Sequence, residues 1–329
     1  MERREGETYD PWIERQLGRY TLRRKIGSGG SGAVYAAWDE KLEREVALKV
    51  MVPAPGAPPD FLERFRQEAV LTARMNHPNI VPIYDVGEDQ GIFYIAMRLL
   101  SGRSLGDLLA ERGSLPPNEA IQITLPLAQA LSYAHQRGIV HRDIKPANVL
   151  FDDEERPMLV DFGIAKALDA AGERLTLTGT TIGTPAYMSP EQAAGGTIDY
   201  RSDIYSLGIL LYQMVAGRPP FQGNAPTVMR AHLFDMPPPP SEFRPELGRD
   251  LEKVILKAIA KKPEDRFSSM DDMMDALRAV LRGKPTHISL PPAVAYPAPD
   301  IEAPTRLVRS RPIEPAFERV PPRRGTVVP

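Results

Sequence analysis

The hydrophobic period of this 329-residue chain changes once, near Gly102, and no other feature constrains its fold as strongly. Before that point the pattern is mainly that of strands. Tyr20, Leu22 and Ile26 alternate with polar residues, Val34, Ala36 and Trp38 share a face, and Val46, Leu48, Val50 and Val52 form a further run. Residues 80–86 and 92–97 add two more, and one helical period, through Phe61, Phe65, Ala69 and Thr72, interrupts them. After Gly102 the spacing becomes helical. Asn118 is placed to cap a segment in which Ile121, Leu125, Ala128, Leu131 and His135 fall at helical intervals, and helices are expected over 204–215, 251–260 and 270–281. The expected fold class is therefore α+β. It has a small β-rich lobe with one main helix, about residues 19–98, and a larger, mainly α lobe, about 103–283.

Composition narrows the function classes. With no cysteine, the chain has no disulfide framework, thiolate zinc site or Cys nucleophile. With 41 basic and 43 acidic residues the net charge is −2, which argues against nucleic acid as the main partner. The most apolar stretch, LGILLYQMVA at 207–216, has about half of the ~18 residues that a spanning helix needs. The N-terminal MERREGETYD lacks the apolar region of a signal peptide. No membrane span and a cytoplasmic location are expected. Proline is in excess, 34 residues, and 11 of them fall in 285–329, which has no apolar period. Residues 284–329 carry a net charge of +3 and read as a disordered, basic tail, while residues 1–18 read as a polar N-terminal extension.

Four motifs carry chemistry. Gly27-Ser28-Gly29-Gly30-Ser31-Gly32-Ala33-Val34 reads G-x-G-x-x-G-x-V and, alone, leaves a nucleotide site and a plain glycine-rich turn equally open. A dinucleotide loop should open a helix, whereas this one lies between two strand patterns, and a Walker A loop is excluded because no Lys-Ser/Thr follows the glycines. On the next strand Val46, Leu48 and Val50 share one face, which places Ala47 and Lys49 on the other, towards the glycine loop. An inward lysine needs an anionic partner. Glu68 lies on the apolar stripe of the following helix and is the natural one. Then come His141-Arg142-Asp143-Ile144-Lys145-Pro146-Ala147-Asn148 and Asp161-Phe162-Gly163. Two carboxylates with a Lys and an Asn between them suit phosphoryl transfer. One group accepts the proton of an attacking hydroxyl, oxygen ligands hold Mg²⁺ on the phosphates, and a cation offsets the transferring charge. His141 reads as structural, since this chemistry needs no second base.

The ordered set GSGGSGAV, VALK, an inward helical Glu, HRDIKPAN, DFG and Gly183-Thr184-Pro185-Ala186-Tyr187-Met188-Ser189-Pro190-Glu191 resembles the protein kinase family, over about residues 20–283. The resemblance implies a two-lobed kinase fold and ATP and Mg²⁺ (or Mn²⁺) as cofactors. It implies that Ile26, Gly27, Ser28, Gly29, Gly30, Ser31, Gly32, Ala33 and Val34 cover the ATP phosphates, and that Lys49, paired to Glu68, contacts them. Ala47 and Met97 would line the adenine pocket, and the backbone of Arg98 and Leu100 would meet the adenine edge. Asp143 would be the catalytic base, helped by Lys145, and Asn148 and Asp161 the metal ligands. Glu191 would pair with Arg266, and Asp203 would sit under the catalytic loop. The family often has Glu where Arg98 stands, and Ala-Pro-Glu where this chain has Ser189-Pro190-Glu191; neither change touches the chemistry. Lys145 and Thr184, the latter on the substrate platform, resemble the Ser/Thr-specific branch, and DFGIAK and GTPAYMSPEQA resemble its bacterial members.

The same resemblance implies regulation. Arg142 precedes the base and would bind a phosphorylated activation-loop residue, with Lys166 as a second cation. Residues 175–184, LTLTGTTIGT, offer Thr176, Thr178, Thr180 and Thr181, and autophosphorylation is expected at Thr176 and Thr178. Protein substrates with Ser or Thr are the expected partners. A homodimer through the small lobe, and a phosphothreonine-binding domain reading Thr305 or Thr326 in the tail, are further expectations. In membrane-anchored relatives such a tail leads to a spanning helix, so the chain is expected to be either a free kinase or a fragment. Two rivals compete: a catalytically weak kinase-fold scaffold, which usually lacks one of Lys49, Asp143 or Asp161, and a small-molecule kinase, which generally lacks the Gly-Thr-x-x-Tyr-x-x-Pro-Glu platform.

Overall fold

The computed structural model describes residues 10–29, 32–52, 61–162 and 185–290. Among them, an antiparallel sheet is built from β1 (Gln16–Leu17), β2 (Tyr20–Gly29), β3 (Gly32–Asp39), β4 (Arg44–Met51), β5 (Ile83–Asp89) and β6 (Ile92–Met97). Its strand order is β1-β2-β3-β4-β6-β5. The period-2 pattern sorts the side chains into two separate cores. Leu22, Tyr35, Val46, Leu48, Val50 and Tyr94 pack on one face. Ala47, Met51, Phe93, Ile95 and Met97 pack on the other, together with Ala69 of helix α1 (Phe61–Ala73) and with Met158 from the helical part of the chain. Lys49 lies on this second face, as its alternation with Val46, Leu48 and Val50 requires. Val52 does not extend the buried run. It falls just past the end of β4 and is 62% exposed. Strand β5 begins at Ile83 rather than near residue 80; Ile80 instead makes an isolated bridge to Leu159, which ties the sheet-bearing part to the helical one.

The described residues of the glycine motif pair across the β2–β3 hairpin, with Gly27 opposite Val34, Ser28 opposite Ala33 and Gly29 opposite Gly32. This arrangement is incompatible with a dinucleotide loop, which would open a helix. Gly32 has φ +125°, and a Cβ there would stand 2.3 Å from the Val50 carbonyl oxygen, so no other residue fits. Gly30 and Ser31 lie outside the described residues.

The helical part contains α2 (Leu105–Arg112), α3 (Pro117–His135), the one-turn α4 (Pro190–Ala193), α5 (Arg201–Ala216), α6 (Ala225–Phe234), α7 (Arg249–Ala258) and α8 (Met270–Leu281). Helix α5 is buried along nearly its whole length and forms the axis of one continuous apolar core with α3, α7 and α8. Its continuous apolar run is that of a central helix. Asn118 does not cap α3. The N-cap is Pro116, and Pro117 takes the first helical position, where its missing N–H costs nothing and its fixed φ already suits the helix. Helices α2 and α6 were not expected from the periodicity; each begins at a capping side chain, Ser104 and Asn224. A two-stranded ribbon, β7 (Val149–Phe151) and β8 (Pro157–Leu159), lies between the two principal motifs. Beyond Gly283 the described chain stays packed: Thr286 donates to Asp250 at 2.8 Å and Ile288 lies against the main core. Among the described residues, no helix is long and apolar enough to cross a membrane.

Candidate active site

The His141-Arg142-Asp143 segment is fixed by one buried carboxylate. Asp203, at the first turn of α5, is fully buried and accepts from the His141 N–H (2.8 Å), the Arg142 N–H (2.9 Å) and His135 Nε2 (2.7 Å). Burial opposes its ionisation, but the hydrogen bond and charge of His135, the charge of His141 and the Arg142 N–H outweigh burial and hold the carboxyl below its ordinary value. Arg142 has φ +70°, a strained value for a side-chain-bearing residue. Asp203 holds its N–H, and Gln192 Nε2 donates to its carbonyl at 2.7 Å, so the surroundings over-determine the strain. Gln192 was missed at the sequence level. Its signal was legible: Ser189-Pro190-Glu191-Gln192 is a capping box, and both of its hydrogen bonds form. His141 is structural, as expected. Its Nε2 is 3.0 Å from the Val160 carbonyl, and its ring packs on Phe162 at 4.5 Å.

On this support Asp143, Lys145 and Asn148 converge. Lys145 Nζ is 2.7 Å from Asp143 Oδ2, and Asn148 Nδ2 donates to the same oxygen (2.9 Å) and to the Asp143 carbonyl (2.8 Å). Burial would raise the Asp143 pKa. The charge and hydrogen bond of Lys145, with His141 and Asn148, more than offset it and keep the carboxyl below its ordinary value, ionised at neutral pH. Because both hydrogen bonds of Asn148 use its NH₂ group, its Oδ1 is turned away from Asp143.

Across the site, buried Lys49 meets Asp161 rather than solvent, with Nζ 2.8 Å from Oδ2. Sequence reasoning did not anticipate this pair. The two residues are 112 positions apart, and the sequence pattern pairs Lys49 with Glu68 and gives Asp161 to a metal. Asp161 also has φ +65°, an uncommon value for a residue that carries a side chain. Glu68, the partner expected for Lys49, lies on α1 with its side chain half-buried, and its carbonyl accepts from Thr72 Oγ1. The Thr72 hydroxyl also lies 3.4 Å from the Phe162 carbonyl, linking α1 to the Asp161-Phe162 turn.

Val34, Ala47, Met97 and Leu100 come together in one apolar cluster that Met158 and Val160 complete from the helical part. Sequence reasoning placed the first four and missed Met158, whose neighbour Leu159 faces the other core. The Arg98 N–H is taken by the Pro82 carbonyl at 3.0 Å. Ile26 is 39% exposed on β2, on the hairpin that carries the glycines. Glu191 and Arg266 form the expected bidentate pair, both contacts at 2.8 Å. Thr176, Thr178 and Thr184, with Lys166 and Gly163, lie outside the described residues.

An apolar slot beneath a glycine hairpin, a lysine–carboxylate pair beside it and a second carboxylate held by a lysine are the parts that a nucleotide-dependent phosphotransferase would need. The family model described as "Protein kinase domain" matches residues 20–278, and the chain belongs to that family. It is 43% identical over 273 residues to "Probable serine/threonine-protein kinase SCO3848" of Streptomyces coelicolor, covering 82% of this chain and 41% of that protein. It is 42% identical over 272 residues to "Serine/threonine-protein kinase PknB" of Mycobacterium tuberculosis, covering 81% and 44%. The chain thus spans less than half the length of these relatives. The crystal structure of the M. tuberculosis PknI kinase domain superimposes with a TM-score of 0.66 at 35% identity, covering 82% of this chain and 98% of that one.

Proposed function

We propose that residues 20–278 form an ATP-dependent protein kinase that transfers the γ-phosphoryl group to Ser and Thr hydroxyls of proteins. The observation that carries this reading is the convergence of Lys145 and Asn148 on Asp143 Oδ2, opposite the Lys49–Asp161 pair. The protein kinase family uses ATP and Mg²⁺ generally. Their fit here rests on the donor set: Asn148 Oδ1, turned away from Asp143, and the Asp161 carboxylate are hard oxygen donors. Mg²⁺ takes one or two such protein ligands and completes its shell with phosphate and water. Bound Mg²⁺, or Mn²⁺ in its place, would neutralise charge on the β- and γ-phosphates.

In this reading Asp143 accepts the proton of the attacking hydroxyl while the hydroxyl oxygen bonds to the γ-phosphorus. The bond from phosphorus to the β–γ bridging oxygen breaks, and ADP leaves. Lys145 balances charge beside the base. Lys49, which Glu68 helps to orient, contacts the α- and β-phosphates. Residues 26–34 cover the phosphates with backbone N–H groups, Ala47 and Met97 line the adenine slot, and the Arg98 carbonyl and Leu100 N–H meet the adenine edge. Thr184 belongs to the substrate platform.

The Ser/Thr preference rests on Lys145 and on the names of the relatives. Autophosphorylation at Thr176 and Thr178, a small-lobe homodimer, a phosphothreonine-binding partner for the tail and a cytoplasmic site of action belong to the same proposal. Lys49, Asp143 and Asp161 are all present, which disfavours a scaffold without activity. Incubation with Mg·ATP and a generic basic protein tests the reading. Phosphoserine or phosphothreonine is the expected product, and no transfer would overturn it.

A further inference from the structure

Beneath the segment Pro185–Tyr187 lies a buried polar chain that the chemistry above does not use. His232, near the end of α6, is fully buried. Its Nδ1 is 2.8 Å from the Tyr205 hydroxyl, which α5 supplies from the centre of the core. Its Nε2 is buried and has no hydrogen-bond partner among the described residues. Helix α6 nevertheless packs directly against the Pro185–Tyr187 segment, and the backbone of Ala186 and Pro185 favours a proton on the ring. A buried donor left unsatisfied costs about 1–3 kcal/mol, so its retention beside a working site calls for a reason.

The tautomer follows from the neighbours. If the Tyr205 hydroxyl donates to Nδ1, the imidazole proton sits on Nε2 and faces two carbonyl oxygens. The opposite tautomer would set the Nε2 lone pair against those same oxygens. The ring itself stays neutral. Burial, then the charge of Lys261, press its pKa down to about 3, against the smaller pull of the two carbonyls. Lys261 Nζ donates to the carbonyls of Ala231 and His232, both at 2.8 Å, and so fixes the end of α6 that carries the ring. Phe221 closes the remaining side, its ring edge-on to His232 at 5.0 Å. The next residue of the segment is held separately, since Ser206 Oγ donates to the Tyr187 carbonyl and the Tyr187 hydroxyl to Gln213 Oε1.

We propose that His232 is a positioning residue for the protein substrate: its Nε2–H, oriented by Tyr205 and unpartnered in the free protein, donates to the Pro185–Ala186 backbone when a substrate chain seats there. The inference rests on the kinase reading, in which this segment is part of the substrate platform. It separates binding of the protein substrate from binding of ATP, because Tyr205, Phe221 and Lys261, the neighbours of His232, all lie on the helical part of the chain, away from the β4 strand of Lys49.

Steady-state kinetics with Mg·ATP and a generic basic protein test it in wild type, His232→Phe, His232→Gln and Tyr205→Phe. His232→Phe keeps a ring without nitrogens, and His232→Gln keeps one N–H donor. The proposal expects His232→Phe to raise KM for the protein substrate about tenfold, with KM for ATP within twofold of wild type. It expects His232→Gln to recover part of that loss. Tyr205→Phe, the milder change, should give a smaller rise in the same constant, and combining it with His232→Phe should add little, because the two act through one chain. Equal changes in both KM values, a fall in kcat with both KM values unchanged, or wild-type kinetics in a folded His232→Phe protein would each overturn it. If His232→Phe does not fold, unchanged protein-substrate KM in Tyr205→Phe overturns it. A wild-type protein that transfers no phosphate removes the kinase reading itself, and this inference with it; an active wild type beside unaltered variants removes only this inference.

Discussion

Lys49 Nζ stands 2.8 Å from Asp161 Oδ2, and this one contact ties β4 of the sheet to the chain leaving β8 in the helical part. Lys49 is almost fully buried, whereas the Asp161 side chain is about a quarter exposed. Removing the lysine charge leaves a carboxylate that water still reaches, so the fold tolerates the change better than the chemistry does. Lys49→Met is expected to lower kcat by a factor on the order of 10²–10³, the scale for losing one charged stabiliser of a transferring group. Its thermal midpoint should stay within a few degrees of wild type. Turnover measured beside calorimetry on the same preparation checks both halves.

Asp203 takes the two N–H groups of His141 and Arg142 on different oxygens. Asparagine has one acceptor oxygen and would set an NH₂ group against the other N–H. Asp203→Asn is expected to cost roughly 1–3 kcal/mol, the scale for a buried group left unsatisfied. It should also lower kcat about a hundredfold by displacing Asp143, the proposed base. Urea denaturation and initial rates read the two effects separately.

Glu191 and Arg266 make a bidentate pair in which the Arg266 side chain is wholly buried. Arg266→Ala is expected to destabilise by about 3–5 kcal/mol, because it leaves a carboxylate without its partner. Burial opposes ionisation of Glu191, but Arg266, and then Ser202, overcome burial and hold its pKa below the ordinary 4.5. A depressed folded-state pKa means that the stabilisation is complete above about pH 4.5 and fades as pH falls through the lower folded-state value. The difference in unfolding free energy between wild type and Glu191→Gln should therefore be flat from neutral pH to about 4.5 and shrink below it. Urea titrations at several pH values would show this.

Incubation of the wild-type protein with Mg·ATP, followed by intact-mass measurement and peptide mapping, tests the regulatory proposal. Phosphate at Thr176 and Thr178 is expected, with Arg142 as one of its cationic partners. No phosphate within residues 169–184 would contradict it.

Much of the site was legible because its parts are either local or set by period. Asp143, Lys145 and Asn148 fall within six residues, so their convergence needs only a tight loop, and the alternation along β4 alone placed Lys49 on the inner face. The Glu191–Arg266 pair was legible through the family resemblance. Other features depend on tertiary placement. Lys49 meets Asp161 only because the β7–β8 ribbon brings the Asp161 turn under the sheet, a long-range fact that no periodicity reports. Met158 completes the apolar slot from a three-residue strand, too short to show alternation. The Asn118 cap was misplaced because a good capping residue lay one position inside a helix already started by Pro117. His232 and Lys261 gave no signal at all, since a buried titratable pair is recognisable only when its burial is seen.

The central claim is that Asp143 is the base of a phosphoryl transfer to protein hydroxyls. It is tested most directly by comparing wild type with Asp143→Asn, using Mg·ATP and a generic basic protein, with ATP affinity measured alongside. Loss of the base should lower transfer by a factor on the order of 10²–10⁴ while ATP binding stays within about twofold. Transfer that survives Asp143→Asn unchanged would contradict the account.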